Sequence, residues 1–194
     1  GGLACSEAWR EGPLFSQNAP LQSGKGSLYE GGVRVPFIVK WGDVVKPATR
    51  NDNCIIVEDL FPTILDMAGI KQYDVPQTVD GIDIVPLMQG RTDRRIADRS
   101  LVWNFPNVWD GFGPGVNLNC AIRRGDWKLI YYYATGRKEL FNIAQDISEN
   151  NNLADDNPEK VKQLSSILGK TLRQMKAQRP SLKSTGKPCK WPDE

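Results

Sequence analysis

A lysine between two glycines, followed shortly by a glycine pair, is the first candidate for chemistry in this chain: Gly24-Lys25-Gly26-Ser27-Leu28-Tyr29-Glu30-Gly31-Gly32. An ammonium group keeps its proton at neutral pH, its ordinary pKa being about 10.4, so Lys25 can face a phosphate or sulfate as a fixed point charge. The four glycines around it permit unusual backbone angles and a close approach of main chain to a ligand. The spacing is not that of a phosphate-binding loop, which places Gly-Lys-Ser/Thr at the opening of a helix. On spacing alone two readings stand: a solvated charge on a loop, or a cation presented to an anion. The sequence contains no histidine, which removes Ser-His-Asp and Cys-His catalysis and the imidazole metal ligands. Cys5, Cys54, Cys120 and Cys189 lie far apart without a Cys-x-x-Cys pair, so a zinc or redox motif is not expected, while their number permits one or two disulfides.

The bulk properties narrow the partners. The 194 residues suffice for one large domain, or for one domain and an appendage. Net charge is +2 with both signs mixed along the chain, which gives no clustered basic face for nucleic acid. The basic stretch from Lys170 to Lys190 follows a helix and reads as a solvated tail. No run approaches the roughly 20 apolar residues of a membrane span, and no signal segment is recognisable.

Behind Lys25 must stand the elements that hold it. Val33–Trp41 is β-branched and aromatic, with apolar residues at alternate places, and predicts a buried strand with Pro36 at a point that gives no ladder bond. Cys54–Val57 predicts a short strand leading into a helix over Glu58–Ala68, whose apolar stripe is Leu60, Phe61, Ile64, Leu65 and Ala68, with Gly69 as its stop. From Ser100 the grammar changes. Leu101–Phe105, Ala121–Arg124, Trp127–Tyr133 and Lys138–Phe141 predict four short strands, with tight turns at Gly125-Asp126 and Thr135-Gly136 that make an antiparallel meander. Asn157 and Pro158 then open a helix in which Val161, Leu164, Leu168, Leu172 and Met175 form one apolar face against that sheet. The class is α/β in the broad sense (α+β). Residues 1–92 read as the end of a large α/β domain, 93–180 as a small four-stranded antiparallel sheet packed by one helix, and 181–194 as a tail.

Several stretches, in order, resemble type I sulfatases, the arylsulfatase branch of the alkaline-phosphatase superfamily. They are Lys25–Trp41, Glu58–Gly69 (Glu-Asp-Leu-Phe-Pro-Thr-Ile-Leu-Asp-Met-Ala-Gly), Asp80–Gly90, Ala121–Ile130 (with Arg-Arg-Gly-Asp-Trp-Lys-Leu-Ile) and Glu139–Ala154. They span roughly residues 20 to 175 and are similar to the second half of that family. The resemblance implies sulfate-ester hydrolysis by a formylglycine made from Cys or Ser in a C/S-x-P-x-R motif, beside a divalent cation, calcium or magnesium, held by acidic residues. Neither the motif nor the acidic ligands are found here, and Gly1-Gly2 stands where the residues following the family's last metal ligands would stand.

The resemblance therefore implies a C-terminal part that lacks nucleophile and metal ligands and is inactive alone. Within it, Lys25 matches the family's sulfate-contacting lysine. Tyr29 reads as packing, and Glu30 with Arg34 as a local ion pair or anchor. Leu101–Trp109 stands where many relatives carry Trp-His-Tyr/Phe-Pro-His, so Trp103, Asn104, Asn107 and Trp109 are either rim residues for a sugar or aryl group or core of the small domain. The implied partner is a sulfated small molecule or glycan, with no nucleic acid and no membrane; the implied compartment is periplasmic or secreted. An unpaired Val33–Trp41 strand would favour self-association, or partial disorder before about residue 90. Two rival readings are a phosphodiesterase or phosphonate monoester hydrolase of the same superfamily, and a non-catalytic module binding glycans or a protein partner.

Overall fold

The structure, a computed structural model, describes residues 18–108 and 114–194. The described residues group into two compact units, one formed by Ser100–Glu194 with the segment up to Pro36, the other by Phe37–Arg99.

The first unit is built on the predicted meander. Strands β1 (Ser100–Phe105), β2 (Asn119–Arg124), β3 (Trp127–Tyr132) and β4 (Lys138–Asn142) pair antiparallel in the order β1-β2-β3-β4. The two-residue turn at Gly125-Asp126 sets Arg124 opposite Trp127 and Ile122 opposite Leu129. Because side chains alternate across a strand, one face carries Cys120, Ile122, Leu129, Tyr131 and Leu140. Helix α5 (Pro158–Gln174) covers that face with Leu164, Leu168 and Leu172, all nearly inaccessible to solvent. Its apolar spacing is the expected one, but Met175 ends the helix exposed. Asn157 precedes the helix without a side-chain cap; its Nδ2 donates instead to the Leu153 carbonyl at 3.0 Å.

The segment after α5 is not a loose tail. Cys189 and Trp191 are buried in the same core, the Arg179 guanidinium lies 4.8 Å from the Trp191 ring centre, and Arg173 grips Asp193 with both terminal nitrogens. A stacked arginine and a buried indole outweigh the solvation that a basic stretch otherwise favours. Cys54, Cys120 and Cys189 are free thiols, so none of the permitted disulfides involves them. Burial pushes the Cys120 thiol up to about 12.

The opposite face of the sheet carries Ala121, Ile130 and Phe141, and is covered by Leu28 and Tyr29 from the lysine–glycine segment. There the sequence-based strand over Val33–Trp41 is not formed. Helix α1 spans Glu30–Val33, and 34–41 stay without a ladder, Val35 at 73% and Ile38 at 91% exposure. An extended segment becomes a strand only when a neighbour accepts its hydrogen bonds, and no described residue does so.

In the second unit, α2 (Leu60–Met67) follows a 3₁₀ turn at Val57–Asp59, and two short helices, α3 (Val85–Met88) and α4 (Arg94–Asp98), come after it. Cys54–Val57 forms no strand, and α4 occupies a stretch that has no apolar period, capped by Asp93, whose Oδ1 accepts the Arg95 N–H. The buried face of α2 is not the expected apolar stripe. Pro62 and Thr63 are buried, whereas Phe61 and Ile64 are 46% and 59% exposed. Polar bonds fix this orientation: Thr63 Oγ1 donates to the Asp59 carbonyl at 2.5 Å and accepts the Ile84 N–H at 3.0 Å. Asp59, fully buried, accepts the N–H groups of Ile56 and Ile82 and both terminal nitrogens of Arg99. Burial pushes its carboxyl up, but those donors outweigh it and hold it below the usual range.

Candidate functional site

Lys25 is exposed in a segment whose backbone is tied both to itself and to the β1–β2 connection. Inside the loop, Ser27 N–H donates to Gly24 O (3.0 Å) and Gly31 N–H to Gln22 O (2.9 Å). Toward the β1–β2 connection, Leu28 N–H donates to Gly115 O at 3.1 Å and Ser27 Oγ to Pro114 O at 2.8 Å. The glycine pair is what lets the loop fold so tightly. A Cβ at Gly31 would overlap the carbonyl oxygens of Gln22 and Ser23, and one at Gly32 those of Ser27 and Gly24.

Beneath the loop lies a buried ionic cluster. Lys128, on β3 and wholly buried, places its Nζ 3.0 Å from Glu30 Oε1 and 2.9 Å from Glu149 Oε1. Glu149 Oε2 accepts the backbone N–H of Glu30 at 2.6 Å. Arg123 on β2 and Arg34 both reach Glu30 Oε2, at 3.2 and 2.7 Å. The expected Glu30–Arg34 ion pair is therefore present, as one limb of a larger network. Two buried carboxylates face the buried Lys128 and the partly buried Arg123, and each has a partner that offsets part of its desolvation.

The two carboxyls respond in opposite senses. For Glu30, burial pushes the pKa up, but the charges of Lys128 and Arg123 and the bonds from Lys128 and Arg34 outweigh it, leaving the group below its ordinary value. For Glu149, burial prevails over Lys128 and the Glu30 N–H, and the group is raised. A second anchor lies next to the first. Tyr29, expected only to pack, meets Phe141 at 5.9 Å between ring centres, and its hydroxyl donates to Glu139 Oε2 at 2.5 Å. Tyr132 donates to the same oxygen at 2.9 Å, and Arg137 pairs with Glu139 Oε1 at 2.6 Å.

Trp103 is half-buried against Leu28, Tyr29 and Ala121, on the face that carries the lysine loop. Asn104, its neighbour in β1, points to the other face. Its Nδ2 donates to the Gln178 carbonyl and its Oδ1 accepts the Tyr133 hydroxyl, both at 2.8 Å. The structure thus brings Trp103 and the Lys25 loop together and takes Asn104 to the helix side. Asn107 is exposed, and Trp109 lies outside the described residues.

Lys128 and Glu149 were not singled out from sequence as site residues. One signal was there: Lys128 interrupts an otherwise apolar and aromatic strand, Trp127–Tyr132, at a position that alternation assigns to the buried face. Glu149 gives no such cue, lying in a polar loop.

The described residues contain no group of three or more His, Cys, Asp or Glu side chains able to hold a metal ion. Glu30, Asp59, Glu139 and Glu149 are each committed to arginine, lysine or tyrosine. These four described carboxylates do not fit the divalent cation of the type I sulfatases. Among the described residues no helix is long and apolar enough to cross a membrane.

Residues 24–178 match the family model described as N-sulphoglucosamine sulphohydrolase, C-terminal. A sulfatase from Formosa agariphila is 33% identical over 148 residues, which cover 74% of this chain and 27% of that protein. Arylsulfatase K from Danio rerio is 32% identical over 152 residues, again 74% of this chain and 27% of that protein. The crystal structure of Ps i-CgsB in complex with k-i-k-neocarrahexaose superimposes with a TM-score of 0.62 at 25% identity, over 83% of this chain and 32% of that one. The chain spans about a quarter of the length of the curated relatives it matches.

Proposed function

This chain belongs to the sulfatase family, as a C-terminal sulfatase region, and we propose that in the complete gene product it forms one wall of a site that hydrolyses sulfate esters. Its contribution is Lys25. As sulfate transfers to the nucleophile, negative charge grows on its oxygens and on the departing alkoxide or phenoxide. An ammonium already held in place stabilises that charge without reorganising. The observation that carries the reading is an exposed lysine on a backbone-anchored loop, lying within the stretch that matches the family model.

Trp103, half-buried on the same face, offers its ring to a sugar or aryl group; Asn107 and Trp109, the latter outside the described residues, are further candidates for that rim. Asn104 serves that rim by holding β1, since both ends of its amide are bound within the protein. The substrate class is a sulfated carbohydrate or aryl sulfate. The cation, calcium before magnesium, would be held by residues outside this chain. A periplasmic or secreted setting suits polysaccharide-derived substrates.

The test is release of sulfate from 4-nitrophenyl sulfate and from a panel of sulfated oligosaccharides by the complete gene product. Lys25→Ala is expected to lower kcat/KM by about 10²- to 10³-fold, the size of losing one preorganised charge-stabilising group. A Lys25→Ala enzyme that keeps wild-type kcat/KM would remove the lysine from the site.

A further inference from the structure

A lysine on a glycine-rich loop has every opportunity to wander. Bonds to Pro114 and Gly115 and the Tyr29–Glu139 anchor tie it on one side; at Glu30 it is held from below, by a residue that is buried and charged. Lys128 lies on β3, in the middle of the sheet, with no exposure to solvent. It clasps Glu30, the first residue of α1 and five positions beyond Lys25. Glu149 closes the clasp twice, pairing with Lys128 through Oε1 and accepting the Glu30 N–H through Oε2. Arg123, opposite Lys128 in the β2–β3 register, completes it.

Burying four charged groups under one four-residue helix is a costly way to gain stability, because apolar residues of similar volume commonly do as well or better. What such a network provides is a single geometry. Oppositely charged groups at about 3 Å, all directed to one carboxylate, admit few alternative placements, whereas an apolar contact tolerates sliding. We infer that Lys128 and Glu149 are positioning residues for Lys25: through Glu30 they fix helix α1, and with it the loop that presents the ammonium, to the centre of the sheet. This rests on the sulfate-facing reading of Lys25, but its mechanical half can be tested without it.

The mechanical test uses hydrogen exchange on the 194-residue chain. Lys128→Met and the isosteric Glu149→Gln are expected to speed exchange of the Ser27, Leu28, Gly31 and Arg34 amides by about 10-fold or more. The Ile122, Leu129 and Leu140 amides should stay at wild-type protection. Unchanged exchange in 27–34, or an equal rise across the sheet, overturns the inference. Should Lys128→Met fail to fold, Glu149→Gln carries the test, because it keeps shape and an acceptor for the Glu30 N–H.

The functional test is a double-mutant cycle in the complete gene product with 4-nitrophenyl sulfate, well below its unfolding temperature. Either variant is expected to lower kcat/KM by about 10- to 100-fold, the loss that a displacement of about 1 Å produces. In a Lys25→Ala background the same variants should change it no further, and Lys128→Arg should recover part of the loss. Full additivity with Lys25→Ala would overturn the positioning role. No effect of Lys25→Ala itself would instead overturn the sulfate-facing reading and leave the exchange result to decide the anchoring.

Discussion

The sheet unit and the Phe37–Arg99 unit are organised by different forces. In the first, eleven residues from β2, β3 and its end, β4, α5 and the C-terminal segment form one buried cluster, and the lysine loop covers the other face of the sheet. In the second, the apolar cluster has only Ile84, Leu87 and Ile96 fully inside, while Phe61, Ile64, Ile70 and Tyr73 stand exposed. What holds the second unit is Asp59, with four donors on one carboxylate. A packed core resists local opening because every element shares it; a single polar hub fixes positions but leaves each strand of chain free to open by itself. The lysine loop belongs to the unit with the core.

The largest test of that contrast removes each unit's central charge. Lys128→Met strands two buried carboxylates and is expected to cost about 3 to 5 kcal/mol of local stability, read by hydrogen exchange as lost protection at Ser27, Leu28, Gly31 and Arg34. Asp59→Asn should cost less, about 2 kcal/mol, and show as faster exchange at Ile56, Ile82 and Ile84 with the sheet amides untouched. Equal loss of protection in both units would show that they unfold as one, and that the comparison is wrong.

Core truncation comes next. Leu168→Ala, at a wholly buried position on α5, is expected to lose about 3 kcal/mol. Phe61→Ala, on the exposed side of α2, should stay within about 0.5 kcal/mol in urea unfolding, the assay that also reads Leu168→Ala. Gly169→Ala is expected to fall between them, at about 1 to 2 kcal/mol, because a Cβ there would strike the Asp193 carboxylate that Arg173 holds.

The smallest effect is in pH, and its sign separates the two units. Asp59 has a lowered pKa, so its stabilising contribution is present above its unfolded value and is lost as pH falls through the folded one. Glu149 is raised above its ordinary 4.5, so its contribution is full below that value and is lost as pH rises through the folded pKa. Glu149→Gln should therefore gain stability relative to wild type as pH rises above about 4.5, while Asp59→Asn should lose its disadvantage as pH falls below about 4. Parallel profiles for the two variants would contradict these assignments.

The same contrast explains what was legible in the sequence. The meander and α5 could be read because alternation and helical period both report burial, and there the apolar faces of the sheet and the helix bury each other. Val33–Trp41, Cys54–Val57 and the stripe on α2 misled for the opposite reason. Apolar period says which face could be buried, and in α2 the polar bonds of Asp59 and Thr63 chose the other one. The C-terminal segment was read by its charge, whereas Trp191 and Arg179 decide its place. In the lysine loop, the Glu30–Arg34 pair was visible in a short window, whereas the crowding that Gly31 and Gly32 relieve against the carbonyls of 22–24 and 27 was not. Glu149 reaches Glu30 from 119 residues away, and no local pattern announces such a contact.

The most direct test of the account is native-state hydrogen exchange of the wild-type chain, comparing the lysine loop with the two units. Ser27, Leu28, Gly31 and Arg34 are expected to be protected to nearly the same degree as Ile122 and Leu129, and well beyond Ile56 and Ile82. Exchange of those four amides at the rate of an unstructured loop would mean that the sheet does not hold Lys25 in place.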